Sequence, residues 1–318
     1  MISSPKSVLL LGATGTIGRA TAKALVAAGH TVTTPVRPGS DTTGLPTAIP
    51  GPLTQAALSD LMTQNACDGV ISCIASRSGT PADANAIDRD LNRAALRAAT
   101  QAGVAQFVLL SAICVQKPML AFQHAKREFE AELRAAPIGW SIVHPTAYFK
   151  SLSGQLNRVR AGKAFLLFGD GELTACKPIS NDDLARYLVK CLTDPDLQNR
   201  TLPIGGPGPA ITPRAQGELL FAALGQTPRF KRVPVAMMSA IVAGLSFFGK
   251  VSPRLRDKAE LARIGRYYAT ESMLVWDSAA GRYDADATPE FGTETLADHY
   301  RRLATDDIAD DRGEHAVF

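Results

Sequence analysis

The segment that most limits what this chain can become is Gly12-Ala-Thr-Gly15-Thr-Ile-Gly18. It directly follows the apolar run Ser7–Leu11 and opens a stretch with helical apolar spacing, Gly15–Ala28. An apolar run without alternation fits a parallel strand buried on both faces. Three glycines between such a strand and a helix serve a tight turn, close approach of backbone to a pyrophosphate, and close helix–strand packing. The helix N-terminus adds unpaired N–H groups and a favourable dipole for phosphate. The unit reads as a dinucleotide site contacted by Gly12, Thr14, Gly15, Thr16, Ile17 and Gly18.

The pattern continues as alternating strand and helix. Strands are predicted at Thr31–Val36, Gly69–Ala75, Gln106–Ser111 and Trp140–His144, and helices at Leu53–Gln64, Asp83–Ala102 and Ala121–Ala136. Such a series predicts an α/β fold, a Rossmann-type doubly wound parallel sheet, over residues 1–150. Beyond Pro145 the regularity weakens. Strands are expected near Ala164–Phe168, Leu173–Pro178 and Thr201–Ile204, and helices at Asp182–Leu192, Arg214–Leu224 and Val235–Phe248. Residues 151–305 therefore read as sheet completion with a smaller C-terminal substrate lobe. Residues 306–318, with Asp306, Asp307, Asp310 and Asp311, read as an acidic tail.

Composition narrows the function. The chain has 318 residues, 46% hydrophobic and 20% charged, with a net charge of +4. That balance is globular and too evenly spread for a nucleic-acid partner. Cys67, Cys73, Cys114, Cys176 and Cys191 form no CxxC pair, which argues against a structural metal or iron–sulfur site and for free thiols in a cytoplasmic protein. No signal peptide or protein partner is indicated. The most apolar uncharged stretch, Val233–Gly249, has 17 residues. As a helix it would reach about 25 Å, short of a roughly 30 Å hydrocarbon core. It is expected to be buried or to face substrate, with shallow peripheral membrane contact as the other reading.

The second strand ends Thr34-Pro-Val-Arg37 and lacks the acid that holds a ribose 2′-hydroxyl in NAD enzymes. A guanidinium binds a 2′-phosphate well, so NADPH is expected, with Arg37 as first contact and Arg19 as second. The GxxGxxG spacing is similar to that of the short-chain dehydrogenase/reductase superfamily, whose catalytic pair is YxxxK. Here that register holds Phe122-Gln-His-Ala-Lys126. Positions four apart share a helix face, so Phe122 and Lys126 should both face the cofactor. A phenyl ring has no proton to give, which disfavours simple ketone reduction. Either the protein binds NADPH without turnover, or its substrate needs no oxyanion donor, as with a C=C bond conjugated to a large π-system.

Five stretches extend the likeness over nearly the whole chain: VLLLGATGTIG (8–18), FVLLSAICVQKPMLAFQHAK (107–126), FLLFGDGELTACKPIS (165–180), LPIGGPG (202–208) and IGRYYATESMLVWD (264–277). On these the chain resembles the NADPH-dependent divinyl chlorophyllide 8-vinyl reductases, an atypical, NmrA-like branch of the superfamily. The resemblance implies reduction of the 8-vinyl group of divinyl (proto)chlorophyllide to ethyl in (bacterio)chlorophyll synthesis, without iron–sulfur clusters. It also implies residue roles. Ala75 and Ser76 would lie by the adenosine side, Ser111 and Lys126 by the nicotinamide ribose, and Pro145, Thr146 and Ala147 by the carboxamide.

A flat pigment calls for an apolar, aromatic pocket with a few polar anchors. Candidates are Phe122, Tyr148, Phe149 and Lys150, then Phe165–Phe168 with Phe168 foremost, then Tyr267 and Tyr268. Lys150 or Lys177 would meet a propionate, and Tyr148 is a candidate proton donor beside Lys126 and Ser111. His124, two positions from Lys126, should face solvent. His144 at a strand's carboxyl end is a candidate axial ligand for the pigment magnesium. A related reductase of a small aromatic metabolite and a non-catalytic NADPH sensor are the competing functions.

Overall fold

Leu9 and Leu11 of the first strand point to one side of the sheet, Val8 and Leu10 to the other, and all four are fully buried. The computed structural model, which describes residues 6–249 and 252–305, shows what covers each side. The chain runs β1 (Ser7–Leu11), α1 (Thr16–Ala27), β2 (Thr31–Val36), β3 (Ala48–Pro50), α2 (Gln55–Gln64) and β4 (Gly69–Ser72). Then come α3 (Pro81–Asp83), a π-helical stretch over Ala84–Leu91, α4 (Asn92–Gln101), β5 (Gln106–Leu110), α5 (Ala121–Ala135) and β6 (Gly139–Pro145). The remainder is α6 (Phe149–Leu152), α7 (Leu156–Arg160), β7 (Phe165–Phe168), α8 (Asn181–Lys190), β8 (Arg200–Ile204), α9 (Pro213–Ala223), β9 (Phe230–Val233), α10 (Val235–Phe248), α11 (Pro253–Thr270), β10 (Val275–Asp277), β11 (Arg282–Asp284) and α12 (Leu296–Ala304).

Seven parallel strands form one sheet in the order β3-β2-β1-β4-β5-β6-β8. On one face Val8, Leu10, Val108 and Val143 pack against Ala22 and Leu25 of α1 and Leu184 and Leu188 of α8. On the other, Leu9, Leu11, Phe107 and Ile142 pack against α2, α4 and α5 through Leu58, Met62, Ala95, Ala99, Phe129 and Leu133. Burial on both faces is why these strands read as unbroken apolar runs. The C-terminal lobe has its own core, in which Phe149, Phe165 and Leu167 meet Leu220, Phe221 and Tyr300.

Four expectations need correction. Leu173–Pro178 is not a strand; Cys176 makes single bridges to Ile211 and Met273, caught between two segments with room for one rung each. The predicted helix Asp83–Ala102 is interrupted by the π-helical turns, where the Asn92 side chain donates to the carbonyls of Ile87 and Asp88 and so compensates the altered ladder. Val233–Gly249 is mostly exposed and not buried as expected: α10 has one buried residue, Val242. β3, β9 and the β10–β11 hairpin were not expected from the sequence; each has three or four residues, too few for a period-2 pattern. The acidic tail lies outside the described residues.

Beneath the carboxyl ends of β5 and β6, Glu130 of α5 collects three partners. Ser111 Oγ donates at 2.6 Å, Arg134 at 2.8 Å, and His144 Nε2 lies 2.8 Å away. Burial alone would raise this carboxyl, but the hydrogen bonds from His144 and Ser111 and the charge of Arg134 outweigh it and hold it at about 2, below the ordinary 4.5. A depressed carboxyl contributes stability above its unfolded value and loses it as pH falls through its folded value. A shift of this size corresponds to about 3 kcal/mol. Glu130→Gln should therefore be less stable than wild type at neutral pH, with a gap that closes on acidification from about pH 5 to about pH 2. Chemical unfolding across that range checks it; a gap that stays constant would remove Glu130 as the source.

Candidate active site

The sheet order reverses between β1 and β4: the chain leaves β1 toward β2 and β3, and leaves β4 toward β5, β6 and β8. Such a switch point opens a crevice at the carboxyl ends of the strands, where ligands bind. The glycine turn lies on its floor, and each glycine has a separate cause. Gly12 has φ +75°, and a Cβ there would sit 2.7 Å from the Cys73 carbonyl oxygen. A Cβ on Gly18 would fall 2.0 Å from the Gly12 carbonyl oxygen, so α1 can lie on the turn only without a side chain. At Gly15 the nearest protein atom to such a Cβ is 3.4 Å away, ordinary contact, so the protein itself does not demand glycine there. Gly15 is the N-cap of α1, and no side chain caps the helix. A glycine that the protein itself does not require and uncapped N–H groups fit a dinucleotide pyrophosphate. Lys150 Nζ donates to Thr16 Oγ1, which brings its charge to this same turn.

At the adenosine end, Arg37 is exposed just past β2. Arg19 grips the loop after β2 through the Asp41 carboxylate at 2.8 Å and the carbonyls of Thr43 and Asp41 at 2.6 and 2.9 Å. Ala75 and Ser76 follow β4 on the crevice side, and the Ser76 N–H donates to Asp88 Oδ1 at 3.3 Å.

Lys126, on the buried side of α5, lies 2.9 Å from Asp88 Oδ1. Asp88 is fully buried and its Oδ2 has no hydrogen-bond partner. The π-helical stretch presents this carboxylate, and Ser72 of β4 anchors the turn by donating to Asn92 Oδ1 at 2.5 Å. Single π turns of this kind recur at functional sites. Asp88 and Asn92 were missed in the sequence. Their signal was there: two polar residues four apart on the apolar stripe that continues through Ala95 and Ala99.

Phe122 is half-buried against Ile113, Cys114 and Ile264, four residues before Lys126. The Cys114 thiol lies among Gln123, Lys126 and Tyr268, and burial pushes it up. Tyr148, N-cap of α6, has its hydroxyl raised well above the ordinary tyrosine range by burial and by proximity to Cys73 and Cys114. Tyr268 leaves 40% of its surface open, yet its hydroxyl is crowded by protein near Cys114, Tyr148 and Tyr267 and is likewise pushed up. The Tyr268 ring meets solvent on one side while its hydroxyl meets protein on the other. Lys126, Cys114, Tyr148 and Tyr268 thus converge.

Other candidates are engaged elsewhere. The Ser111 hydroxyl turns inward to Glu130, away from the crevice. His144 pairs with the same carboxylate and is 8% exposed, which leaves it poorly placed as a ligand for a bulky pigment metal. Phe149 is 2% exposed in the C-terminal core. Lys177 is held by Glu290 at 2.6 Å and the Thr288 carbonyl at 3.3 Å, so its charge is satisfied within the lobe. Tyr267 is 3% exposed and donates to the carbonyls of Cys114 and Lys117. Phe168 is half-buried on β7, alternating with the core-facing Phe165 and Leu167. Pro145 and Thr146 are buried and Ala147 half-buried after β6, with Thr146 Oγ1 donating to the Lys177 carbonyl. His124 is exposed.

Two substitutions separate these roles. A Cβ at position 15 makes only ordinary contact, so Gly15→Val should keep thermal stability while nicotinamide-nucleotide affinity falls roughly tenfold or more, a change of at least about 1.4 kcal/mol; unchanged affinity by calorimetry would exclude the turn as the pyrophosphate seat. Asp88→Asn removes the anion that holds Lys126 and should lower kcat/KM roughly tenfold or more; Asp88→Glu, which keeps the charge, should recover part of that loss.

The comparisons with known proteins match this geometry. Residues 12–195 match the family described as NAD(P)H-binding. The chloroplastic divinyl chlorophyllide a 8-vinyl-reductase of Oryza sativa subsp. indica is 42% identical, over 99% of this chain and 83% of that protein. The protein of the same name from Arabidopsis thaliana is 40% identical, over 96% of this chain and 79% of its own. Among solved structures, leucoanthocyanidin reductase from Vitis vinifera shares the fold with a TM-score of 0.69 at 15% identity, covering 94% of this chain and 99% of that one. With two such relatives matched over almost its whole length, the chain belongs to the NAD(P)H-binding divinyl chlorophyllide a 8-vinyl-reductase family.

Proposed function

We propose that this protein reduces the 8-vinyl group of divinyl (proto)chlorophyllide to ethyl, with NADPH as reductant. The observation that carries the reading is Phe122 in the register of the superfamily's catalytic tyrosine, four residues before a retained and anchored Lys126. The whole-length relatives named for that reaction support it. When bound, NADPH supplies a hydride to one vinyl carbon; the C=C π bond breaks, a proton reaches the other carbon, and NADP⁺ is left.

In this reading the α1 N-terminus and Lys150 hold the pyrophosphate and Arg37 takes the 2′-phosphate. Arg19 has Asp41 as a competing anion and is the second contact. Lys126, fixed by Asp88, binds the nicotinamide ribose, while Thr146 and Ala147 flank the carboxamide. The protein's main contribution is orientation, which can supply several kcal/mol of a barrier. A conjugated macrocycle spreads developing charge over its own π-system, so a phenyl at position 122 is sufficient there and adds apolar surface. Burial holds the Tyr148 hydroxyl in its protonated form, so it can donate a hydrogen bond but is a weak acid and no base. Five free thiols suit a reducing, cytoplasmic setting.

Mixing the protein with NADPH and divinyl chlorophyllide should shift the Soret band to shorter wavelength as conjugation shrinks. Bound NADPH with no shift would overturn the reductase reading in favour of a sensor. Arg37→Asp should raise the KM for NADPH roughly tenfold, by repulsion of the 2′-phosphate, with little change in kcat. An unchanged KM would remove Arg37 from the site.

A further inference from the structure

Helix α10 has 14 residues and no charge, VAMMSAIVAGLSFF. A soluble helix is expected to hide such a surface, yet Met237, Ile241, Phe247 and Phe248 are 49, 49, 68 and 57% exposed, and Leu261 of α11 is 41% exposed. Met237, Ile241 and Phe248 fall at i, i+4 and i+11, one stripe along the helix. Contiguous exposed apolar surface of this kind marks an interaction site. At about 21 Å the helix is too short to cross a bilayer, and among the described residues no helix is long and apolar enough to do so.

The charges around the stripe indicate its occupant. Lys231 and Arg232 precede α10, and Arg254, Arg256 and Lys258 open α11; all five are exposed, as is Asp257, the one acid among them. None of the five forms an ion pair among the described residues. Apolar residues within a rim of lysine and arginine match a surface with an apolar interior and an anionic boundary. A second copy docking on the same face would oppose these cations to their own equivalents, which disfavours self-association.

The hairpin is also built into the active site. Arg263 of α11 bonds Ser246 of α10 at 2.9 Å and Glu260 at 3.0 Å, and Glu260 accepts from the Ala121 N–H at the start of α5 at 3.1 Å. Ile264 and Tyr268 of the same helix form the wall beside Phe122 and Cys114. One helix thus connects the exposed apolar stripe with the candidate substrate cleft.

We infer that the α10–α11 hairpin seats this protein on an anionic lipid bilayer, with α10 lying within the headgroup layer and the basic rim on the lipid phosphates. Docking stands on the surface alone. Its use, loading an amphiphilic pigment from the membrane, rests on the reductase reading.

The test is flotation of the purified full chain with vesicles of equimolar phosphatidylglycerol and phosphatidylcholine. The protein should float with them at low salt, roughly tenfold more than with phosphatidylcholine alone, and fall back at high salt. Ile241→Ser with Phe248→Ser should abolish flotation, and Lys231→Glu with Arg254→Glu should weaken it roughly tenfold. NADPH binding should be retained in both, which reports an intact fold. Wild-type protein that binds NADPH but stays in the pellet fraction with both vesicles would overturn docking. So would a stable dimer that Phe248→Ser dissociates, which would assign the stripe to a second copy. Flotation without pigment turnover would retain docking and sink only the reductase reading.

Discussion

Everything at the cofactor crevice depends on how closely the first turn of α1 lies on the backbone that leaves β1. The 2.0 Å separation between a hypothetical Gly18 Cβ and the Gly12 carbonyl oxygen measures that closeness. With any side chain at position 18 the helix would have to lift off, and its N-terminal N–H groups would no longer aim at the crevice. The helix is held down from behind by Ala22 and Leu25 against Val8 and Leu10, and by α8 on its flank. A hydrophobic contact on the far side of α1 therefore sets where a phosphate can bind on the near side. Gly15 is the counterpart: a Cβ there would make only ordinary contact with the protein, so a ligand that comes close, and not the fold, accounts for its glycine.

The same logic of displaced cost runs through the second crevice wall. A π-helical turn is a poor helix, and a buried carboxylate oxygen without a partner costs about 1–3 kcal/mol. Both occur together at Asp88. They are stabilised by Asn92, which takes the displaced carbonyls, by Ser72 beneath it, and by Lys126 across the gap. Strain of this kind persists only where the surroundings over-determine it. What it achieves is an ammonium fixed on the buried face of α5, 2.9 Å from the Asp88 carboxylate. The usual tyrosine is absent, so under the proposed function the lysine is left to hold and orient.

Much of this was legible in advance because burial leaves period and sign in a sequence. β1 and β2 match their expected bounds: β1 is an unbroken apolar run that ends at glycine, and β2 is rich in β-branched residues and ends at arginine. The dinucleotide turn was equally plain. What escaped was short or cooperative. β3 has three residues and exists only because β2 offers an unpaired edge. Ser111 sits where the alternation along β5 turns it inward, and only the position of Glu130 on the next helix reveals that. Lys150 and Lys177 looked alike as cations near a carboxylate-bearing substrate. One reaches Thr16 and the other Glu290, partners 134 and 113 residues away, which no local pattern can report.

Helix α10 shows the limit in its sharpest form. Its residues are as apolar as those of a core helix, and hydrophobicity alone says that such a surface avoids water without saying what replaces it. Within one chain the default replacement is other parts of the same chain, which is why burial was expected. The fold provides too little: α11 covers one side, and the stripe from Met237 to Phe248 faces outward. The missing information lies in the flanks, where five cations bracket an uncharged segment. Read together, the segment and its flanks describe a surface complementary to a charged interface over an apolar medium. Since α11 also carries Ile264 and Tyr268 against Phe122 and Cys114, any body that meets that surface touches a helix that packs on the candidate site.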